Sequence, residues 1–163
     1  MIKKYYHGSK KLFPIGLLLE PQRDGYTNQE DTKDTEAYFE SRRPADKTPR
    51  SKSVFLVSNP DLIDAAGGYI DVIYTVKPIS APEESDLAWY SEAYAGLDAE
   101  PPNMDYVDHC VDRYWDGTPF PDEEMRCPEY RVKWAEVKSV FELNADKDDL
   151  EHVGLPELSH KSH

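Results

Sequence analysis

Short apolar runs, separated by long polar stretches, set the pattern of this chain. Residues 2–6 carry strand-type side chains. Residues 53–57 form a compact apolar run that reads as a buried strand. Residues 69–76 predict the clearest strand: Ile70, Val72, Tyr74 and Val76 fall on one face at period two, and Pro78 ends it. Two more strands are predicted at 129–134 and 136–143, with Val137, Ser139, Phe141 and Leu143 alternating with charged residues and Val140.

Helical signals are fewer. Residues 35–43 predict a short helix with Ala37, Tyr38 and Phe39 as its apolar residues. Asn59 reads as a cap with Pro60 at the first helical position, and Gly67-Gly68 ends that helix. Residues 86–94 predict a helix within an insert, and Pro101-Pro102 breaks the chain after it. Asn103 reads as the cap of a helix over 104–115, whose apolar stripe is Met104, Val107, Val111 and Tyr114. Residues 21–34, 44–51 and 118–128 read as loops. The last twenty residues are acidic and then His-rich, and His160 and His163 read as a frayed end. This order predicts an α+β domain built on antiparallel sheets over residues 1–145, with a tail over 146–163.

Composition narrows the class. With 163 residues, 39% of them hydrophobic and 31% charged, the chain has the makings of one globular domain with a real core. No apolar run approaches the roughly 20 residues that span a bilayer, so no membrane association is expected. No secretory signal follows Lys3 and Lys4, and two cysteines are too few for a disulfide scaffold; a cytoplasmic setting is the expectation. A formal charge of −13 repels nucleic acid and suits a small molecule or a basic protein partner. One loop runs against the trend: Arg42, Arg43, Lys47, Arg50 and Lys52 could meet a pyrophosphate or another anion, or serve as a solvated connector.

The candidate chemistry sits at the start of the chain. His7-Gly8-Ser9 after a strand offers an imidazole for a ribose hydroxyl and a glycine backbone for an amide, which makes a nicotinamide dinucleotide a candidate ligand. Neither the GxGxxG signature nor a GxxxxGK[ST] loop is present, so NAD is not expected to bind in the Rossmann manner. His109 and Cys110 point to different sides of a helix, and zinc-type spacings are missing, so no metal is expected. A Cys–His pair using Cys110 or Cys127 has no further support. Trp89, Tyr90 and Tyr94 read as core or as a wall for an acceptor, and Asp105, Asp108 and Asp112 as a solvated helix face.

Several blocks resemble one family. Tyr5-Tyr6-His7-Gly8-Ser9-Lys10, with Ile15-Gly16-Leu17-Leu18 after it, resembles the opening of the rifampin ADP-ribosyltransferases. Val54-Phe55-Leu56-Val57-Ser58 is similar to their second motif, and Ile73-Tyr74-Thr75-Val76-Lys77-Pro78 to their next strand. Glu129-Tyr130-Arg131 and residues 137–143 resemble their closing strands. The ordered set spans residues 2–143 and also resembles the wider ADP-ribosyltransferase group, including the poly(ADP-ribose) polymerases.

The resemblance implies two small antiparallel sheets that form an NAD cleft, with a few short helices. It implies a mono-ADP-ribosyltransferase that uses NAD as co-substrate, releases nicotinamide and passes ADP-ribose to a small-molecule or protein acceptor. His7 would grip a ribose, Gly8 the nicotinamide amide, and Phe55, where the family has tyrosine, would stack on nicotinamide. Ser9, Ser58, Tyr69 and Tyr130 complete the expected dinucleotide contacts. The carboxylate that stabilises the oxocarbenium ion is assigned to Glu129, with Glu83 or Glu84 in reserve. Two alternatives stay open: a non-catalytic binding or inhibitor module of the same fold, and an RNA 2′-phosphotransferase-like enzyme, which the acidic composition disfavours.

Overall fold

The first strand, β1 (Tyr5–Ser9), begins at Tyr5, and His7, Gly8 and Ser9 lie inside it rather than past its end. The computed structural model describes residues 2–21 and 29–154. Part of the polar loop expected over 21–34, and both His160 and His163, lie outside the described residues. The shift of β1 comes from its partner. Tyr5 to Ser9 register with Val76 to Val72 on β5 (Val72–Pro78), an antiparallel neighbour whose buried Val72, Tyr74 and Val76 fix the register. Tyr69 and Ile70, expected in that strand, precede it and are about half exposed.

The architecture is mixed α+β, with antiparallel sheets and three α-helices among the described residues. One sheet has the order β1-β5-β8-β3, with β3 at Leu18–Leu19 and β8 at Ala135–Leu143. The second has the order β4-β7-β6, with β4 at Val54–Leu56, β6 at Glu83–Asp86 and β7 at Pro128–Val132. A two-residue parallel pair joins β2 (Lys11–Leu12) to β9 (Glu151–His152).

Two apolar cores follow from these elements. The first lies between the sheets and includes Leu17, Leu19, Val54, Leu56, Val72, Tyr74, Tyr130, Val132 and Val137. Leu150 belongs to it as well. The segment assigned by sequence to the start of a tail therefore packs back as far as β9, where Val153 N–H donates to the Leu12 carbonyl at 3.0 Å. The second core gathers α1 (Lys33–Ser41), α2 (Leu87–Asp98) and α3 (Met104–Asp116) around Phe39, Trp89, Val107, Val111, Tyr114 and Trp115.

Local signals explain most boundaries. Asn103 caps α3 by accepting from Tyr106 N–H, and Gly117 closes it in the left-handed region at φ 80°. Met104, expected in the apolar stripe, is exposed on the first turn. Asn59 also caps as expected, accepting from Asp61 N–H at 3.0 Å, but a single 3-10 turn (Pro60–Leu62) follows instead of a helix. Gly67-Gly68 leaves too few residues for the nucleus to propagate. Among the described residues no helix is long and apolar enough to cross a membrane.

Candidate active site

Where β1 meets β4, two peptide hydrogen bonds join the sheets: Tyr6 N–H to Val57 O at 2.8 Å and Val57 N–H to Tyr6 O at 3.1 Å. Alternate residues of a strand direct their peptide groups to the same side. Gly8 on β1 and Phe55 on β4 therefore also aim their backbone groups toward this seam. The two strands do not continue as a pair, and the His7 side chain fills the splay: its Nδ1 lies 3.0 Å from the Phe55 carbonyl. An imidazole and an edge peptide of glycine thus meet the backbone of Phe55 at one seam, while the Phe55 ring lies 4.8 Å from the Arg50 guanidinium.

The glycine has an internal reason as well. A Cβ on Gly8 would lie 1.9 Å from the Tyr69 carbonyl oxygen and 2.7 Å from Ile63 Cγ2. The close approach that glycine permits is therefore made by the chain's own backbone on that face. Tyr69 contributes this carbonyl, while its ring lies exposed beneath Lys10 Nζ, 4.6 Å from the centroid. The Ser9 hydroxyl accepts from Lys11 N–H at 2.9 Å, holding the turn after β1.

Strand alternation sorts the remaining candidates. Tyr130 points into the first core with Val54, Leu56 and Val132; its ring meets Tyr5 edge-on and its hydroxyl accepts from Lys3 Nζ at 2.9 Å. Glu129 and Arg131 point to the opposite face of β7. Phe55 and Glu83 are the cross-strand neighbours of Arg131, and Ser85 is the neighbour of Glu129. Phe55, Glu129 and Glu83 therefore share one face of the second sheet, and Tyr130 and Glu84 belong to the other.

Glu129 is 3% exposed and is not alone. Arg50 Nη1 lies 2.7 Å from its Oε2, and the Tyr114 hydroxyl donates to the same oxygen. Among the described residues no donor reaches Oε1. Arg50 also grips Glu36, 3.1 Å from each carboxylate oxygen, and its guanidinium lies over the rings of Phe55 (4.8 Å), Tyr90 (4.7 Å) and Tyr114 (5.4 Å). Burial opposes the Arg50 charge, but Tyr114, Glu129 and Glu36 outweigh it and hold the guanidinium above its ordinary value. Burial likewise pushes the Tyr114 phenol up, against the pull of Arg50, so it stays a donor. Arg131, fully buried, donates to Ser85 Oγ at 2.6 Å and to the Tyr114 hydroxyl at 3.1 Å.

Glu83 has another task. It accepts from Thr48 N–H at 2.9 Å and from the Thr48 hydroxyl, which pins the basic loop, and it stands 3.8 Å from Arg131 Nη2. Glu84 is exposed at the sheet edge. Of the three carboxylates, Glu129 is the one that is both buried and on the face of Phe55.

A comparison with known proteins finds no family model, no curated protein and no solved structure that matches this chain. The site is therefore argued from its own residues.

The sequence reading left out Arg50, Tyr114 and Arg131 as site residues. Arg50 was hidden in a loop of five basic residues and Tyr114 in an apolar stripe. Arg131 carried a signal: it stands two residues after Glu129 on a strand, hence on the same face. Trp89 is core, donating to the Thr118 carbonyl at 2.8 Å, whereas Tyr90 joins the Arg50 cage. Cys110 and Cys127 are both free and buried. Among the described residues no group of three His, Cys, Asp or Glu is placed to hold a metal ion.

Proposed function

We propose that this chain is an NAD-dependent mono-ADP-ribosyltransferase of the ADP-ribosyltransferase fold. The observation that carries the reading is Glu129: a buried carboxylate at the head of a central strand, on the face of Phe55, with one oxygen held by Arg50 and Tyr114 and, among the described residues, no donor on the other. The seam between β1 and β4 supports it, because the His7 imidazole, the Gly8 peptide and the Phe55 backbone meet there.

In this reading the nicotinamide amide pairs with the Gly8 backbone, the Phe55 ring stacks on nicotinamide, and the His7 imidazole holds a ribose hydroxyl. The bond from C1′ to the nicotinamide nitrogen breaks and its electron pair leaves with nicotinamide. Positive charge develops on the ribose, and the Glu129 carboxylate stabilises it. Arg50 and Tyr114 orient that carboxylate by holding Oε2, which leaves Oε1 to accept from the 2′-hydroxyl. The acceptor's oxygen or nitrogen then bonds to C1′ and gives up its proton. Phe55 keeps the stacking surface of the family's tyrosine and lacks its hydroxyl; Tyr114 supplies a phenol to the same face.

One feature favours a second reading, a binding module without catalysis. Arg50 neutralises much of the charge that Glu129 would use, and separating a buried ion pair to free the carboxylate is costly. Nicotinamide release from NAD by the purified protein separates the two. Release by wild type that Glu129→Gln abolishes supports the transferase. NAD binding by calorimetry with no release from wild type moves the assignment to the module.

A further inference from the structure

A concentration of positive charge lies away from Glu129. A groove of about 500 Å³ runs between the 43–52 loop and the turn that joins β7 to β8. Arg43, Lys47 and Lys52 line one side and Lys133 and Trp134 the other, with Asp46 as the single carboxylate. Among the described residues none of the three lysines makes an ion pair, in a chain with 32 acidic side chains against 19 basic ones. Arg43 is paired with Glu40 at 2.9 Å, so three lysines against Asp46 leave the groove with a net positive field in an acidic chain.

Both walls are held from behind. In the loop, Arg43 Nη1 donates to the Lys47 carbonyl at 2.7 Å, Glu83 holds Thr48, and Arg50 turns inward to Glu129. Across the groove, Lys133 N–H donates to Ser80 Oγ at 2.7 Å and the Trp134 carbonyl accepts from Ile79 N–H at 2.9 Å. The backbones are fixed while, among the described residues, nothing pairs with the lysine ammonium groups, which lowers the ordering cost of binding an anion. Trp134 is 43% exposed, whereas Trp89 and Trp115 are buried at 4% and 1%. An exposed indole beside unpaired lysines offers a planar, apolar face next to positive charge.

We infer that this groove is a nucleotide site: it takes the phosphates of a nucleoside diphosphate on Lys47, Lys52 and Lys133 and the base against Trp134. Its size falls within the range of small-molecule pockets, roughly 300–1,000 Å³. It shares no lining residue with His7, Gly8, Phe55 or Glu129, and the inference stands whether or not the chain cleaves NAD.

The probe is ADP, followed by tryptophan fluorescence, to which Trp134 is the exposed contributor. Saturable quenching that weakens as salt rises is expected. Lys52→Glu with Lys133→Glu weakens ADP by about tenfold or more, the loss of two favourable charge contacts. Lys4→Glu, a charge reversal at an exposed lysine outside the groove, leaves ADP affinity unchanged. Lys52 and Lys133 are exposed, and an unshifted thermal melt of the double variant shows that the fold is intact. The proposal is overturned by non-saturable quenching, by a charge reversal without effect, by adenosine binding as tightly as ADP, or by pyrophosphate doing so.

Discussion

Arg50 Nη1 and Glu129 Oε2 stand 2.7 Å apart, joining a surface loop to the head of a central strand across 79 positions of sequence. The pair is deeply buried, with side-chain exposures of 14% and 4%. Removing one partner strands the other charge in a low-dielectric site. Arg50→Met is expected to lose about 3–5 kcal/mol of stability. Adding Glu129→Leu to it restores most of that loss. Urea denaturation of the single and double variants checks the pair; equal stability of Arg50→Met and wild type would remove it as a fold determinant.

Nicotinamide release is expected to fall by about 100-fold or more in Glu129→Gln, the scale of losing one preorganised electrostatic contact to a transition state. Glu83→Gln is expected to retain activity, because Glu83 holds Thr48 rather than facing a free space. Steady-state release from NAD, variant beside variant, decides which carboxylate acts.

Gly8→Ala places a methyl 1.9 Å from a backbone oxygen, which no rotamer change can relieve. The chain at Tyr69 must move, at a cost of about 1–3 kcal/mol or more. Calorimetric melting is expected to show a clear drop, and NAD binding to weaken in step.

Asp86 carries more than its place at the start of α2. Its Oδ1 accepts from Ala88 N–H at 3.0 Å and Cys127 N–H at 2.8 Å, and its Oδ2 from Phe120 N–H at 3.0 Å. Asp86→Ala leaves three amides from three segments without their acceptor. Each orphaned buried donor costs about 1–3 kcal/mol, so the variant is expected to be among the least stable single changes by urea midpoint.

Alkaline pH should weaken the fold. Burial, with Glu129 and Asp86 adding to it, pushes the Cys127 thiol up to about 11 from its ordinary 9.0. Between these values the unfolded chain has released a proton that the native state keeps, so stability falls as pH rises. The slope from this one thiol is at most about 1.4 kcal/mol per pH unit. Urea midpoints from pH 8 to 11 check the decline, and Cys127→Ala flattens part of it.

The sequence was legible where a residue's own neighbours decide its conformation. Asn59, Asn103 and Gly117 act as caps because capping is a matter of a few adjacent atoms. Val72, Tyr74 and Val76 face inward because a period of two survives any choice of partner strand. What stayed hidden depends on partners far along the chain. Strand β6 is Glu83-Glu84-Ser85-Asp86, a sequence without strand character, and it exists through pairing with β7. Leu150 looked like part of an acidic tail until Phe13 and Leu17 were found beneath it in one core. For the candidate site, the sequence singles out His7, Gly8, Phe55 and Glu129 through the resemblance alone. It does not single out Arg50 and Tyr114, since nothing local distinguishes an inward arginine from the basic residues around it.

The pairing of β2 with β9 has a temporal side. Residues 11–12 cannot acquire their partner strand until 151–152 have been made, and the Leu150 side chain caps a core whose other members begin at Phe13. Strand β3 likewise waits for β8. A chain shortened before residue 150 would lack both the β9 partner of residues 11–12 and the Leu150 side chain of the first core. Contacts this distant make folding slow relative to helical bundles of the same length.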